Sequence, residues 1–253
     1  MEPRLLSLVI PCYNQEKTIR ENLSRVEKVL KGLPVDYEII VVIDGHVDKT
    51  AEIVKSLGNS KIKLFDNKVN SGKGYAVKYG IEKAKGDVVG FIDSGLDLDP
   101  SGIAILLDFM KLHDADIVVG SKTHPDSVVN YPLYRKLITL CTRIVTQTLF
   151  GFKVLDTQVG LKLFKRKVAM DVFPRLLVKK FAFDIEMLAV ANTLGYTKIY
   201  EAPVKLNFEA GSISYSGLIA ILLKSFWDTL GIFYRIRILK YYRISNKKNW
   251  LTS

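Results

Sequence analysis

Leu6-Ser7-Leu8-Val9-Ile10-Pro11-Cys12-Tyr13-Asn14-Gln15-Glu16 carries an apolar run straight into a polar turn, and a helical pattern over residues 18–30 follows it. Residues 38–43, 62–65 and 88–92 repeat the short β-rich run, and 116–119 is a fifth. Helix-period segments lie between them at 50–57, 74–84 and 101–112. Strand, helix, strand at this interval predicts an α/β fold: a mainly parallel sheet flanked by helices on both faces. Ligands of such sheets bind outside the carboxyl ends of the strands. The polar residues gather there: Tyr13 and Asn14 after the first strand, Asp44 after the second, Asp93 after the fourth.

A chain of 253 residues, 48% hydrophobic and 25% charged, is that of a folded protein able to bury a full core. Met1-Glu2-Pro3-Arg4 runs directly into the first strand pattern without a cleavable signal, which places the expected catalytic part in the cytoplasm. Cys12 and Cys141 share no metal-ligand or redox spacing, and both read as ordinary buried thiols. Lys and Arg outnumber Asp and Glu by 37 to 26, a net charge of +11. From Ala210 onward seven basic residues face one acid, Asp228, a local excess of +6. Such charge attracts nucleic acid, anionic lipid or phosphorylated substrate.

The neighbours of that charge narrow the choice. Residues 217–235 read as a helix with Lys224, Asp228, Gly231 and Arg235 on one stripe and Ile219, Leu222, Leu223, Phe226, Trp227, Leu230, Phe233 and Tyr234 opposite. The uncharged stretch 210–223 has 14 residues, short of the ~20 that cross a bilayer. A broad apolar face with a basic end fits a helix lying in the membrane interface; the plainer alternative is a terminal helix packed on the core. No nucleic-acid module is visible. We therefore expect a catalytic domain over 1–210 and basic, amphipathic membrane-interface helices over 211–253. Residues 128–150, apolar but broken by Arg135, Lys136 and Arg143, read as one or two amphipathic helices. Residues 198–206 read as a further strand, with Pro203 marking an edge or an end.

A carboxylate at the end of a buried strand is costly unless it has a partner. Asp93 ends such a strand, and with Asp97 it could hold a hard divalent cation that grips a diphosphate. Asp99 reads instead as a cap for the helix opening at Pro100-Ser101. Asn70-Ser71-Gly72-Lys73-Gly74 sets two glycines around a lysine just before a helix, where free N–H groups meet an anion or where the chain simply turns tightly. Its spacing is not that of the nucleoside-triphosphatase phosphate loop.

Together these stretches resemble the family 2 glycosyltransferases of the GT-A fold, and within them the polyprenyl- or dolichyl-phosphate hexose synthases. The resemblance runs from about residue 6 to residue 214. It rests on Val9-Ile10-Pro11-Cys12-Tyr13-Asn14-Gln15-Glu16, on Val42-Ile43-Asp44-Gly45-His46-Val47-Asp48-Lys49-Thr50, and on the Asn70–Gly74 block. Asp156-Thr157-Gln158-Val159-Gly160-Leu161-Lys162-Leu163-Phe164 and Phe181-Ala182-Phe183-Asp184-Ile185-Glu186 complete it. It implies that Pro11, Tyr13, Glu16 and Asp44 cradle the nucleoside, and that Lys73, Ser94 and Lys122 lie along the sugar nucleotide's phosphates. Asp93, helped by Asp97, would bind Mg²⁺ or Mn²⁺. Asp156 and Gln158 would lie by the transferred sugar and the acceptor, and Asp184 and Glu186 near the active centre, unless these four hold structural hydrogen bonds instead. Two departures stand out. Asp93-Ser94-Gly95 lacks the second aspartate of the usual Asp-x-Asp, and Ile43 and His46 replace Asp and Ser of the nucleoside motif.

The implied reaction is transfer of a hexose, with inversion, from GDP-mannose or UDP-glucose to a polyprenyl phosphate at the cytoplasmic face of a membrane. The Asp-Thr-Gln-x-Gly form leans toward the glucose-transferring relatives. A lipid phosphate is already nucleophilic, so positioning and charge neutralisation suffice. A sugar-hydroxyl acceptor would need a base, for which Asp156 is the candidate. A third reading, prompted by Gly95, is a catalytically impaired sugar-nucleotide binder. No nucleic-acid partner is expected, and nothing in the sequence speaks to oligomeric state.

Overall fold

The computed structural model describes residues 2–130, 133–207 and 215–246. In chain order the elements are β1 (Leu5–Cys12), α1 (Ile19–Lys31), β2 (Asp36–Asp44), α2 (Thr50–Ser56), β3 (Ile62–Asn67), α3 (Lys73–Lys83), β4 (Val88–Ile92), α4 (Gly102–Leu112) and β5 (Ile117–Ser121). There follow β6 (Val128–Asn130), α5 (Leu133–Phe150), β7 (Leu161–Lys165), α6 (Arg166–Val172), α7 (Phe183–Thr193), β8 (Ile199–Pro203), β9 (Lys205–Asn207) and α8 (Tyr215–Arg237).

Seven strands form one sheet in the order β3-β2-β1-β4-β7-β5-β8. All neighbours are parallel except β7, which runs antiparallel to both β4 and β5. The central strands are continuous buried runs because both faces are covered. On one face Leu8, Ile10, Ile39 and Val41 pack against α1 and α4; on the other Val9, Ile40, Val42 and Phe91 pack against α3 and α7. Helix α1 shows why the pattern reads as a helix: Ile19, Leu23, Val26 and Leu30 are buried at three- and four-residue spacing. Each fully buried aliphatic or aromatic side chain contributes roughly 1.5–3 kcal/mol.

Three expectations need correction. The strand over 198–206 is two: β8 closes the edge of the main sheet and ends at Pro203, whereas β9 pairs with β6 in a separate two-stranded sheet. The chain changes sheets at Val204, whose side chain is buried. Residues 128–150 begin with strand β6 before the single helix α5. Cys12 is buried, but Cys141 is exposed, on an outer face of α5 that also exposes Leu140 and Ile144. The proposed boundary at 210–211 lies outside the described residues.

Helix α8 has three faces rather than two. Thr229 and Ile232 are buried, with Phe233 and Ile236 packed against the core. Leu223, Phe226, Trp227 and Tyr234 face outward. Lys224 and Arg235 lie between. The helix is thus docked on the core while still presenting an apolar face. Among the described residues no helix is long and apolar enough to cross a membrane.

Candidate active site

The carboxyl ends of β1, β2 and β4 open into a cleft of about 570 Å³. Pro11 and the half-exposed ring of Tyr13 (48%) form one wall. Asp44, the last residue of β2, is buried, and its two oxygens accept the Ser71 and Gly72 N–H groups at 2.8 Å each. Gly72 has φ +104, and a Cβ there would meet the Lys179 carbonyl oxygen at 2.4 Å, so only glycine lets the loop pass. The loop thereby delivers Lys73 as the first residue of α3.

Lys73 Nζ lies 2.6 Å from Asp93 Oδ1. It also sits over the rings of Phe91 and Phe183, at 5.9 and 5.7 Å. Burial alone would depress the Lys73 ammonium, but the Asp93 and Asp184 carboxylates hold it above its ordinary value. It is therefore a fixed positive charge in the cleft lining.

Asp93 follows β4 and is anchored by its own N–H, which donates to the Gly160 carbonyl at 2.8 Å. A Cβ on Gly160 would fall 2.0 Å from Asp93 Oδ2, so the carboxylate occupies space that any side chain would take. The following loop is pinned from both sides. Asn22 Nδ2 donates to the Gly95 carbonyl at 2.9 Å, Arg25 to that of Leu96 at 3.2 Å, and Asn207 N–H to that of Asp97 at 2.8 Å. Asp99 accepts the Ser101 N–H at 2.8 Å, the capping role expected of it.

The donor set fits a hard cation. The Asp93 side chain is 41% exposed, exposed Asp97 lines the same cleft, and among the described residues, chain neighbours apart, the atom nearest the Gly95 Cβ position is Asp97 N at 4.0 Å. Among the described residues no three His, Cys, Asp or Glu side chains converge to hold a metal alone. An ion of the Mg²⁺ kind needs less: one or two carboxylates, with diphosphate and water completing its shell. Ser94 is nearly buried and hydrogen-bonds the Cys12 thiol; burial, the larger influence, pushes that thiol up to about 12, so it stays protonated.

Behind the cleft lies a second layer of charge. Lys162 of β7 is fully buried and donates to the Asp184 carboxylate and, at 2.6 Å, to the Val159 carbonyl, while lying 5.3 Å from the Phe91 ring centre. Burial depresses its ammonium, only partly countered by Asp184. Asp156, also buried, accepts the Lys122 N–H at 2.9 Å, the Lys122 ammonium at 3.2 Å and the Gln158 N–H at 3.2 Å. Glu186 lies on α7 away from the cleft. It accepts the Leu177 and Val178 N–H groups at 3.0 and 2.8 Å, the Tyr242 hydroxyl at 2.5 Å and Arg235 at 3.3 Å. Burial raises its carboxyl despite these donors. Its geometry is that of a staple between α7, the 177–178 segment and the chain after α8.

The structure thus brings Pro11, Tyr13, Asp44, Lys73, Asp93, Ser94 and Asp97 together around one cleft. Lys122, Asp156, Gln158, Asp184 and Glu186 are not among the residues lining it. Nor is Glu16, which accepts the Lys49 N–H at 3.2 Å and donates its own N–H to Asp48 at 2.8 Å, tying the loops after β1 and β2 together. Sequence reasoning passed over Lys180, and quoted Phe181 and Gly160 in their motifs without giving them a place in the site; all three line the cleft. The Lys179-Lys180 doublet beside the Phe181–Glu186 stretch was the available signal. Lys162 carried none, since a lysine reads as solvent-facing.

A mainly parallel sheet with one antiparallel strand set between β4 and β5, and a carboxylate-bearing cleft at its carboxyl edge, is the GT-A arrangement. Glucosyl-3-phosphoglycerate synthase from Mycobacterium tuberculosis, solved with UDP, superposes with a TM-score of 0.70 at 20% identity, over 91% of this chain and 80% of that one. The same enzyme solved with Mn²⁺, UDP and phosphoglyceric acid gives 0.69 at 22% identity, over 91% and 78%. Residues 7–173 match the Glycosyl transferase family 2 profile, and the chain belongs to that family. A dolichyl-phosphate beta-glucosyltransferase of Dictyostelium discoideum is 34% identical over 210 residues, 75% of this chain and 62% of its own length. One of Trichomonas vaginalis is 34% identical over 253 residues, 91% of this chain and 74% of its own. The chain therefore spans somewhat under two thirds of the Dictyostelium relative.

Proposed function

We propose that the protein transfers glucose from UDP-glucose to a dolichyl or other polyprenyl phosphate, with inversion at the anomeric carbon. The observation that carries the acceptor is the state of the carboxylates. Among the described residues, those lining the cleft are Asp44, Asp93 and Asp97. Asp44 is spent on two backbone amides, Asp93 faces Lys73, and Asp97 is the second carboxylate we assign to the cation. Asp156, the candidate base for a hydroxyl acceptor, is held by Lys122 outside the lining. A phosphate oxygen needs no base, so this site suits it better than a hydroxyl. The 34% identity to dolichyl-phosphate beta-glucosyltransferases supports glucose and offers nothing for the GDP-mannose alternative.

In the proposed reaction an oxygen of the lipid phosphate bonds to the anomeric carbon as the bond to the UDP oxygen breaks. Pro11, Tyr13 and the Asp44-braced loop seat the nucleoside end of the donor. Lys73 supplies fixed positive charge along the diphosphate, preorganised by Asp93 and the two rings. Asp93 and Asp97 would hold Mg²⁺ or Mn²⁺, which neutralises charge on the departing diphosphate. The outward apolar face of α8, flanked by basic residues, supports a peripheral seat on a membrane surface.

The test is transfer of radiolabelled hexose from UDP-glucose or GDP-mannose to a short polyprenyl phosphate with Mg²⁺, Mn²⁺ or EDTA. Label should enter the organic phase from UDP-glucose alone and be lost with EDTA. Nucleotide binding with no transfer to the lipid would overturn the reading in favour of another acceptor or an impaired binder.

A further inference from the structure

A second cleft, of about 270 Å³, opens between the 177–180 segment and α8. Lys180 lines both it and the donor cleft. The segment carrying Lys180 is tied to the start of α3 by the Tyr75 N–H, which donates to the Lys179 carbonyl at 3.3 Å. The two clefts therefore share a wall, and that wall is braced against the helix that presents Lys73.

The chemistry of the second cleft has two halves. Lys179, Lys180 and Lys224 line it, and none of them forms an ion pair among the described residues. Arg235 also lines it but is engaged by Glu186 and Tyr242. Among the described residues Asp228 is the single carboxylate in the lining. Beside the ammoniums, Trp227 lines the cleft while remaining 69% exposed, and Leu223, one turn earlier on α8 and 58% exposed, extends its apolar surface beyond the cleft rim. A bare anion would gain nothing from that aromatic face, and a neutral hydrocarbon would gain nothing from three ammoniums. An amphiphile with one phosphate head uses both.

We propose that this cleft seats the phosphate and the first isoprene units of the lipid acceptor. Lys179, Lys180 and Lys224 face the phosphate, Trp227, extended by Leu223 one turn before it, covers the prenyl chain, and Lys180 marks the passage into the donor cleft. The assignment rests on the polyprenyl-phosphate reading above and adds to it where the acceptor waits.

Calorimetric titration of the whole chain with farnesyl phosphate, farnesol, inorganic phosphate and UDP tests it. Farnesyl phosphate should bind more tightly than farnesol or phosphate. Lys224→Glu should weaken farnesyl phosphate at least tenfold and leave UDP unchanged, which also reports that the variant is folded. Trp227→Ala should weaken farnesyl phosphate without altering the response to inorganic phosphate. Unchanged farnesyl phosphate affinity in both variants, or none in the parent protein, overturns the site. So does complete displacement by phosphatidylserine vesicles, which would make the cleft a general anionic-lipid contact. Tight binding sensitive to Lys224→Glu but without glucose transfer would keep the site and sink the transfer reading. Transfer with an acceptor KM indifferent to Lys224→Glu would do the reverse.

Discussion

At the amino-terminal ends of its strands the sheet buries Glu38, and at the carboxyl ends it sets Asp93. Glu38 accepts the Ser7 hydroxyl at 2.5 Å and the Lys85 N–H at 2.8 Å, and pairs with Lys63. Ser7 in turn accepts the Gly86 N–H at 2.7 Å. That network is closed: the carboxylate is engaged from inside the protein and shielded from solvent. Asp93 meets one lysine and otherwise faces a cleft, with 41% of its side chain exposed. The same residue chemistry on the same scaffold thus holds the fold together at one end and keeps capacity for a ligand at the other. Internal satisfaction, rather than burial alone, separates the two.

That contrast can be broken by substitution. Asp93→Asn should lower the rate of transfer on the order of 10²–10³-fold while the melting temperature holds, because the amide oxygen still accepts from Lys73 and only the charge aimed at the leaving group is lost. A melting temperature that fell in step with activity would place Asp93 with Glu38 as a structural residue. Lys162→Met, behind the cleft, should cost about 3 kcal/mol in denaturant unfolding, since it strands the buried Asp184 carboxylate. Replacing Asp184 with Leu in the same chain should recover most of that stability; failure to recover it would assign the loss to packing. Glu38→Gln should cost roughly 1–3 kcal/mol without changing kcat, by leaving donors of the closed network short of an acceptor.

The Glu38 network also sets a pH dependence. Burial pushes its carboxyl up, but Lys63, Ser7 and the Lys85 amide outweigh that and hold it below its ordinary 4.5. A group depressed in the folded state contributes stability that is present above 4.5 and is lost as pH falls through the lower folded value. Acid unfolding of Glu38→Gln should therefore be flatter than that of the parent over this window; parallel curves would refute the assignment. The smallest effect is expected at the rim. Tyr13→Ala should raise the KM for the sugar nucleotide roughly tenfold through a lost stacking surface and leave stability unchanged. An unchanged KM would remove Tyr13 from the nucleoside seat.

Much of this architecture was legible before any coordinates. The runs ending at Ile10, Ile43 and Ile92 announced a parallel sheet because helical segments alternate with them, and the carboxylates beyond them announced the working edge. Strand β7 was not legible. Leu161-Lys162-Leu163-Phe164-Lys165 carries no sign of its direction, and its insertion between β4 and β5 follows from tertiary pairing alone. Lys162 escaped for a related reason: what buries it is Asp184, 22 residues away, and the Phe91 ring opposite it in register. Val204 shows the limit of apolar runs, since one buried valine continues the pattern while the chain leaves one sheet for another.

Gly160 carries a wider consequence. Asp93 is held by an antiparallel neighbour that arrives 67 residues later in the chain, and a single absent side chain defines how far its carboxylate can lean. Its aim is inherited from strand registry. Insertions beyond the Asp97 loop, in the segments that separate β4 from β7, can therefore be carried without disturbing the reacting centre, so long as the register of Ile92 with Leu161 is kept.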